Sequence, residues 1–231
     1  MRRARQFLLD HWQLLSLITA LFALWQTPLV FPLKLTVVYL HALSHGLAAV
    51  LTGGRVLEMS VSAQVGGFAV TQGGNLFAIL TAGYLGSLVL GAGLLLAALR
   101  SVADRYVTGG LAVLTFIVTA AYMRDGFAIA YGALTAAMLL AIAVWCGHAM
   151  NDLVLRVIGL ASIIYVPFDI FDDTIRRSFL RSDARMMAEE FGGTTVMWGG
   201  VWLVISLVVI GWTLRVALRH PSNVRFGKTG R

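Results

Sequence analysis

Two histidines one helical turn apart, His41 and His45, lie inside an apolar run from Leu35 to Leu51. At i and i+4 they project from one helix face, near enough to share a metal ion. The spacing is that of the zinc-binding signature H-E-x-x-H, but its glutamate position holds Ala42. A second group of ionisable residues closes a later apolar run: Tyr165-Val-Pro-Phe-Asp169-Ile-Phe-Asp172-Asp173-Thr174. Asp169, Asp172 and Asp173 share one helical face and would repel one another without a cation. Two readings stay open for each group. The histidines could be hydrogen-bonded to neighbouring helices, and Arg176 and Arg177 could neutralise the aspartates as a solvated helix end. Alternatively, one carboxylate completes a His-His-Asp zinc site with its fourth position open to water. Ionisable side chains in an apolar segment are costly to keep, which favours a functional role.

The elements that must position these residues are membrane spans. Of 231 residues, 58% are hydrophobic and 13% charged, and the mean hydropathy is +0.81. Soluble domains run near a quarter charged, so composition excludes an ordinary water-soluble globular fold. Segments of about 20 apolar residues occur at 12–33, 35–52, 75–99, 107–123, 126–146, 151–170 and 196–218. The expected architecture is an all-α polytopic membrane protein of six to seven transmembrane helices, forming a single integral membrane domain over 1–231. Helix 35–52 carries the histidines, and a helix over 151–175 carries the aspartates. Between the second and third spans, residues 55–72 alternate with period two around Gly66-Gly67, which predicts a small β-hairpin. The glycines of the third span, Gly83, Gly86, Gly91 and Gly93, predict close helix packing.

The net charge of +7 sits mainly at the chain ends (Arg2, Arg3, Arg5; Arg215, Arg219, Arg225, Lys228, Arg231) and in the stretch Arg176, Arg177, Arg181, Arg185. That distribution suits lipid headgroups and argues against a nucleic-acid partner. Two basic tails favour one side of the membrane and an even number of crossings, in conflict with seven spans. Cys146 has no partner for an intrachain disulfide. His11 and His148 fall at predicted boundaries and are expected to be solvated. Ser182-Asp183 reads as the N-cap of a short surface helix.

Three stretches carry a family resemblance. His41-x-x-x-His45-Gly-Leu-Ala-Ala-Val-Leu-Thr-Gly-Gly-Arg resembles the metal-binding helix of site-2-protease-like intramembrane metallopeptidases (peptidase family M50, B-like branch), where the usual form is H-E-L-G-H-A-L-A-A-L-L-T-G-G. Ala82-Gly-Tyr-Leu-Gly-Ser-Leu is similar to the helix that follows. Phe168-Asp-Ile-Phe-Asp-Asp-Thr-Ile-Arg-Arg with Ser182-Asp-Ala-Arg-Met-Met-Ala-Glu resembles the family's Y-D-I-x-D-D-L-I…S-D-A-x-x-x-A-E stretch. The resemblance implies a zinc-dependent protease that cuts membrane-protein substrates within or near the bilayer. His41 and His45 match the histidine ligands, and Asp169 is the chosen carboxylate ligand, with Asp172 the alternative. The Gly66-Gly67 strand region matches a β-element where substrate could be held. The expected location is the bacterial plasma (inner) membrane.

Ala42 departs from that pattern. Its methyl cannot take a proton from zinc-bound water, a role by which a positioned base typically contributes about 10²–10⁴-fold. The expectation is zinc binding with little or no hydrolysis. Either Ala42 is an engineered Glu→Ala replacement in an otherwise active enzyme, or the chain is a natural pseudoprotease serving as a helix-binding adaptor or chaperone. The intact histidines and aspartates favour the former. A transporter is disfavoured, because no inverted repeat or pair of broken helices is visible.

Overall fold

The computed structural model describes residues 2–224, so the basic positions Arg225, Lys228 and Arg231 lie outside the described residues. Eight α-helices follow one another: α1 (Arg2–Leu24), α2 (Phe31–Leu51), α3 (Leu76–Arg100), α4 (Asp104–Tyr122), α5 (Gly126–Trp145), α6 (His148–Phe171), α7 (Asp183–Phe191) and α8 (Thr195–Ala217). Strands β1 (Arg55–Ser62) and β2 (Gly66–Gln72) pair antiparallel between α2 and α3. Every helix except α7 is long and apolar enough to cross a membrane. Large apolar side chains such as Phe116, Leu134, Val204 and Val208 stand exposed on the outer faces. Lipid accommodates such surfaces where water would not. The protein is a multi-pass integral membrane protein of helices with one β-hairpin.

The segment read as one span over 12–33 is two elements. Pro28 starts a 3₁₀ turn, Pro28–Val30, and Pro32 sits in the first turn of α2. Proline lacks a backbone N–H and is best placed in a first helical turn, and with two prolines four residues apart the chain breaks there and α2 begins before Leu35.

Helix ends resolve the conflict between seven spans and two basic tails. The Ser222 amide donates to the Asp10 carbonyl (3.0 Å), the Asn223 side chain to the Leu9 carbonyl (2.6 Å) and the Val224 amide to the Gln13 side chain (2.6 Å). The start of α1 therefore lies beside the chain's C-terminal segment. His11 is buried there, 2.8 Å from the Ser222 hydroxyl, because this clasp covers it, rather than solvated. At the other end of the bundle, Phe22 and Trp25 pack on Phe168 and Tyr165 late in α6. Helix α2 also finishes at that second end, where the Asn75 amide donates to the Thr52 hydroxyl (2.9 Å) just before α3. Its first residues, Pro32 and Leu33, lie beside Leu139 and Ile158, well inside α5 and α6. Since α1 and α2 finish at the same end, α2 adds no net crossing, and the other six apolar helices return the chain to its starting side.

Helix α3 is central. Gly86 lies against Ser44 of α2, and Gly91 against Ser162 and the Gly159 carbonyl of α6, whereas Gly93 faces open space. Such small residues let helices approach without side chains between them. The hairpin turn falls at Ala63-Gln64-Val65, one step before Gly66-Gly67, and a bulge between Val56 and Glu58 shifts its register. Gly67 is required for packing, since a Cβ there would come 2.6 Å from Val38 of α2. Met59 bridges to Met123, and Ser60 donates to the Asp125 carboxylate. Asp125 also caps α5, accepting from the Ala128 amide (2.8 Å). The Ser60 hydroxyl, then this amide, hold its carboxyl below the usual range.

Two outcomes follow. Asp125→Ala should lower stability by about 1–2 kcal/mol through loss of the cap and the hairpin anchor, read by thermal unfolding in detergent. In a Cys146→Ser background, cysteines at Arg5 and Arg219 should label from one face of the membrane and a cysteine at Thr52 from the other. Labelling of all three from one face would sink the proposed path of α2.

Candidate metal centre

Helix α2 carries His41 and His45 just over one turn apart, with ring centroids 4.8 Å apart. The Nδ1 of His45 lies 2.7 Å from the Ile79 carbonyl of α3. A carbonyl only accepts, so Nδ1 carries the proton and Nε2 is left as a free donor of its lone pair. The third group comes from the first residue of α7. Oδ2 of Asp183 lies 3.0 Å from His41 Nε2 and 3.2 Å from His45 Nε2. Ser182 caps α7 by accepting from the Arg185 amide (3.3 Å), which fixes where the helix starts and so where Asp183 points.

The donor atoms of His41, His45 and Asp183 all lie within 4.8 Å of one another. Zinc bonds of about 2.0–2.1 Å place tetrahedral ligand atoms roughly 3.3 Å apart, close to the two separations above. Gly83 of α3 leaves the room: a Cβ there would come 2.5 Å from both Asp183 Oδ2 and His41 Nε2, and 2.6 Å from His45 Cε1. Two imidazoles, one carboxylate and a hollow without side-chain atoms fit a zinc ion.

The other aspartates hold different positions. Asp169 stands at the opposite edge of the His41 ring, 4.0 Å from Nδ1, and also faces Arg177 at 3.7 Å. Asp172 pairs with Arg176 at 3.2 Å and is partly exposed. Asp173 accepts from the Tyr84 hydroxyl (2.6 Å) and pairs with Arg177 at 3.0 Å. Residues Asp172–Arg176 form a widened π turn that continues from the end of α6. Sequence reasoning gave Asp183 only the role of a helix start. The one signal that could have found it was its place in the S-D-A stretch of the family motif.

The donors open into a cleft of about 550 Å³, walled by Phe68 and Val70 of β2, Leu80 and Tyr84 of α3, and Arg181 and Met186 around the start of α7. Gly67 lines this cleft, whereas Gly66 sits by the turn, its amide donating to the Ser62 hydroxyl (3.3 Å). Tyr84 is buried between His41, at 5.0 Å between ring centroids, and Trp202 at 5.2 Å. Ala42 is buried in the core beside this helix face and brings no polar atom to the cleft.

The family model described as Peptidase M50B-like matches residues 14–213, from within α1 to near the end of α8. The chain belongs to that family. Its members are membrane-embedded metallopeptidases, and every residue of the histidine-aspartate group lies inside the matched region. No curated protein and no solved structure matches the chain.

Because Gly83 borders all three donors, Gly83→Ala should reduce zinc affinity at least about tenfold while leaving the helix intact, since alanine is the better helix former by up to about 1 kcal/mol. Zinc titration beside circular dichroism checks both halves. Unchanged zinc binding would mean the ion sits elsewhere.

Proposed function

We propose that this chain is a zinc-dependent intramembrane metallopeptidase of the site-2-protease type, with the ion held by His41, His45 and Asp183 and a fourth position facing the cleft. The observation that carries it is the meeting of Asp183, from a distant helix, with both Nε2 atoms. When bound, zinc would polarise a peptide carbonyl and acidify water at the open position. The chain's own residues do the positioning. Ile79 holds the His45 ring by its Nδ1, and Asp169, beside Nδ1 of His41, steadies the second ring. In the two-stranded sheet, β2 pairs with β1 on one side only and lines the cleft with Gly67 and Phe68. Its free edge can take an unwound membrane-protein segment as a third strand, with Gly66 and Gly67 at the entrance.

A proton acceptor is what this site lacks. The carboxylates lining the cleft are Asp183, assigned to the metal, and Asp173, already engaged by Tyr84 and Arg177. With Ala42 at the position of the motif's glutamate, the form described here binds zinc and substrate but hydrolyses slowly or not at all. The surviving donor set supports reading Ala42 as one isolated, engineered replacement of glutamate in a working site. The location that goes with this reading is the plasma membrane of a bacterium. The competing account is a natural pseudoprotease that grips membrane helices.

Detergent-purified protein should carry near one zinc per chain, lost in a His41→Ala, His45→Ala double variant and in Asp183→Ala. Ala42→Glu should raise cleavage of a membrane-peptide substrate by about 10²–10⁴-fold, with Ala42→Gln as the folding control. Zinc retained in Asp183→Ala but lost in Asp169→Ala would transfer the ligand role to Asp169. Absence of zinc from folded, unchelated protein would overturn the metallopeptidase reading.

A further inference from the structure

Four arginines surround the start of α7, and three are neutralised. Arg176 pairs with Asp172 (3.2 Å), Arg177 with Asp173 (3.0 Å) and Arg185 with Glu189 (2.9 Å). The fourth, Arg181, has no carboxylate partner among the described residues. Its Nε donates to the Met186 thioether (3.3 Å), a weak acceptor, which leaves the two terminal nitrogens free. Arg181 and Met186 both line the metal cleft, as do Phe68 and Val70 of β2. The remaining charged side chains of that cleft are spoken for, Asp173 by Tyr84 and Arg177, and Asp183 by the histidines. The cleft thus offers one unclaimed guanidinium beside apolar walls and a free strand edge.

We propose that Arg181 is a specificity-determining residue that selects peptides bearing a carboxylate where the strand-bound segment leaves the cleft. This rests on the reading of the cleft as a peptide site and does not require that the chain cleave what it binds. Guanidinium presents paired N–H groups that match a carboxylate in a two-point contact, and Met186 holds the Arg181 side chain by its Nε so that the two terminal nitrogens stay available for it. Position supports the same chemistry. Arg181 follows the end of α6 and precedes α7, so its partner belongs to the part of a substrate just outside its membrane span. The carboxylate could be an Asp or Glu side chain or a free C-terminus, and the two are separable by amidation.

The test uses zinc-loaded protein in detergent and fluorescent peptides of one apolar sequence, differing at a single flanking position as Asp, Asn or Lys, each with free and amidated C-termini. The Asp peptide should bind about tenfold more tightly than the Asn or Lys peptide. Arg181→Gln should erase that preference, and Arg181→Glu should reverse it toward Lys, with zinc content unchanged in both. Preference that follows the free C-terminus in the wild type and disappears in Arg181→Gln makes the terminal carboxylate the partner and also supports the proposal. Preference for Asp that survives Arg181→Gln would overturn it and assign the carboxylate to the metal. Equal binding of all peptides, with photo-crosslinking to Phe68 intact, would overturn it while leaving the peptide site standing. No binding and no crosslink would overturn both.

Discussion

The site depends on how closely α3 can lie against its neighbours. Gly83 and Gly86 admit α2, and Gly91 meets Gly159 and Ser162 of α6. Without side chains at those crossings, the Ile79 carbonyl reaches His45, Tyr84 reaches Asp173, and α7 can lay Asp183 across both imidazoles. In lipid there is no hydrophobic force drawing one apolar helix to another, so close contact between small residues and a few polar contacts set the arrangement. A methyl group at Gly83 would fall within the space shared by all three donors.

Much of this arrangement is legible in one dimension because its signals are local. The span positions follow from runs of apolar residues, the hairpin from alternation, and the histidine pair from a spacing of four. What escaped the sequence depends on contacts between distant segments. Asp183 meets the histidines only because α6, the π turn and the short loop before α7 bring the chain back over α2. Asp169, Asp172 and Asp173 look equivalent on one helix, but the neighbours they meet differ, His41 for Asp169, Arg176 for Asp172 and Tyr84 with Arg177 for Asp173. The number of crossings was also undecidable from hydropathy, since a helix that begins among other helices is as apolar as one that spans the bilayer. Pro28 and Pro32 were the available hint that the first apolar segment is interrupted.

Polar groups inside the bundle are kept at two separate depths. Near one end lie the histidines, Asp169, Asp173 and Asp183. Near the other, Asp152 pairs with Arg156 at 2.7 Å and Asp104 with His148 at 2.7 Å, and the Ser222 carbonyl accepts from Arg156. The second group is paired within itself, with the C-terminal segment over Arg156, while the first opens into the cleft. Burying an ion pair gains little net stability, but leaving one member unpaired is strongly unfavourable. The second group ties α6 to the start of α4 through Asp104 and His148 and to the C-terminal segment through Arg156 and Ser222, and the first keeps donors available.

The clasp between residues 9–13 and 222–224 bears on how the protein is made. Helix α1 leaves the ribosome before α2–α8 and packs only lightly on the rest, whereas the residues that bond to its backbone follow α8. Domains and their early segments generally begin to fold during synthesis. Here α1 is made before the helices it packs against but is secured only after α8, so it must wait beside the growing bundle until residues 222–224 have been added.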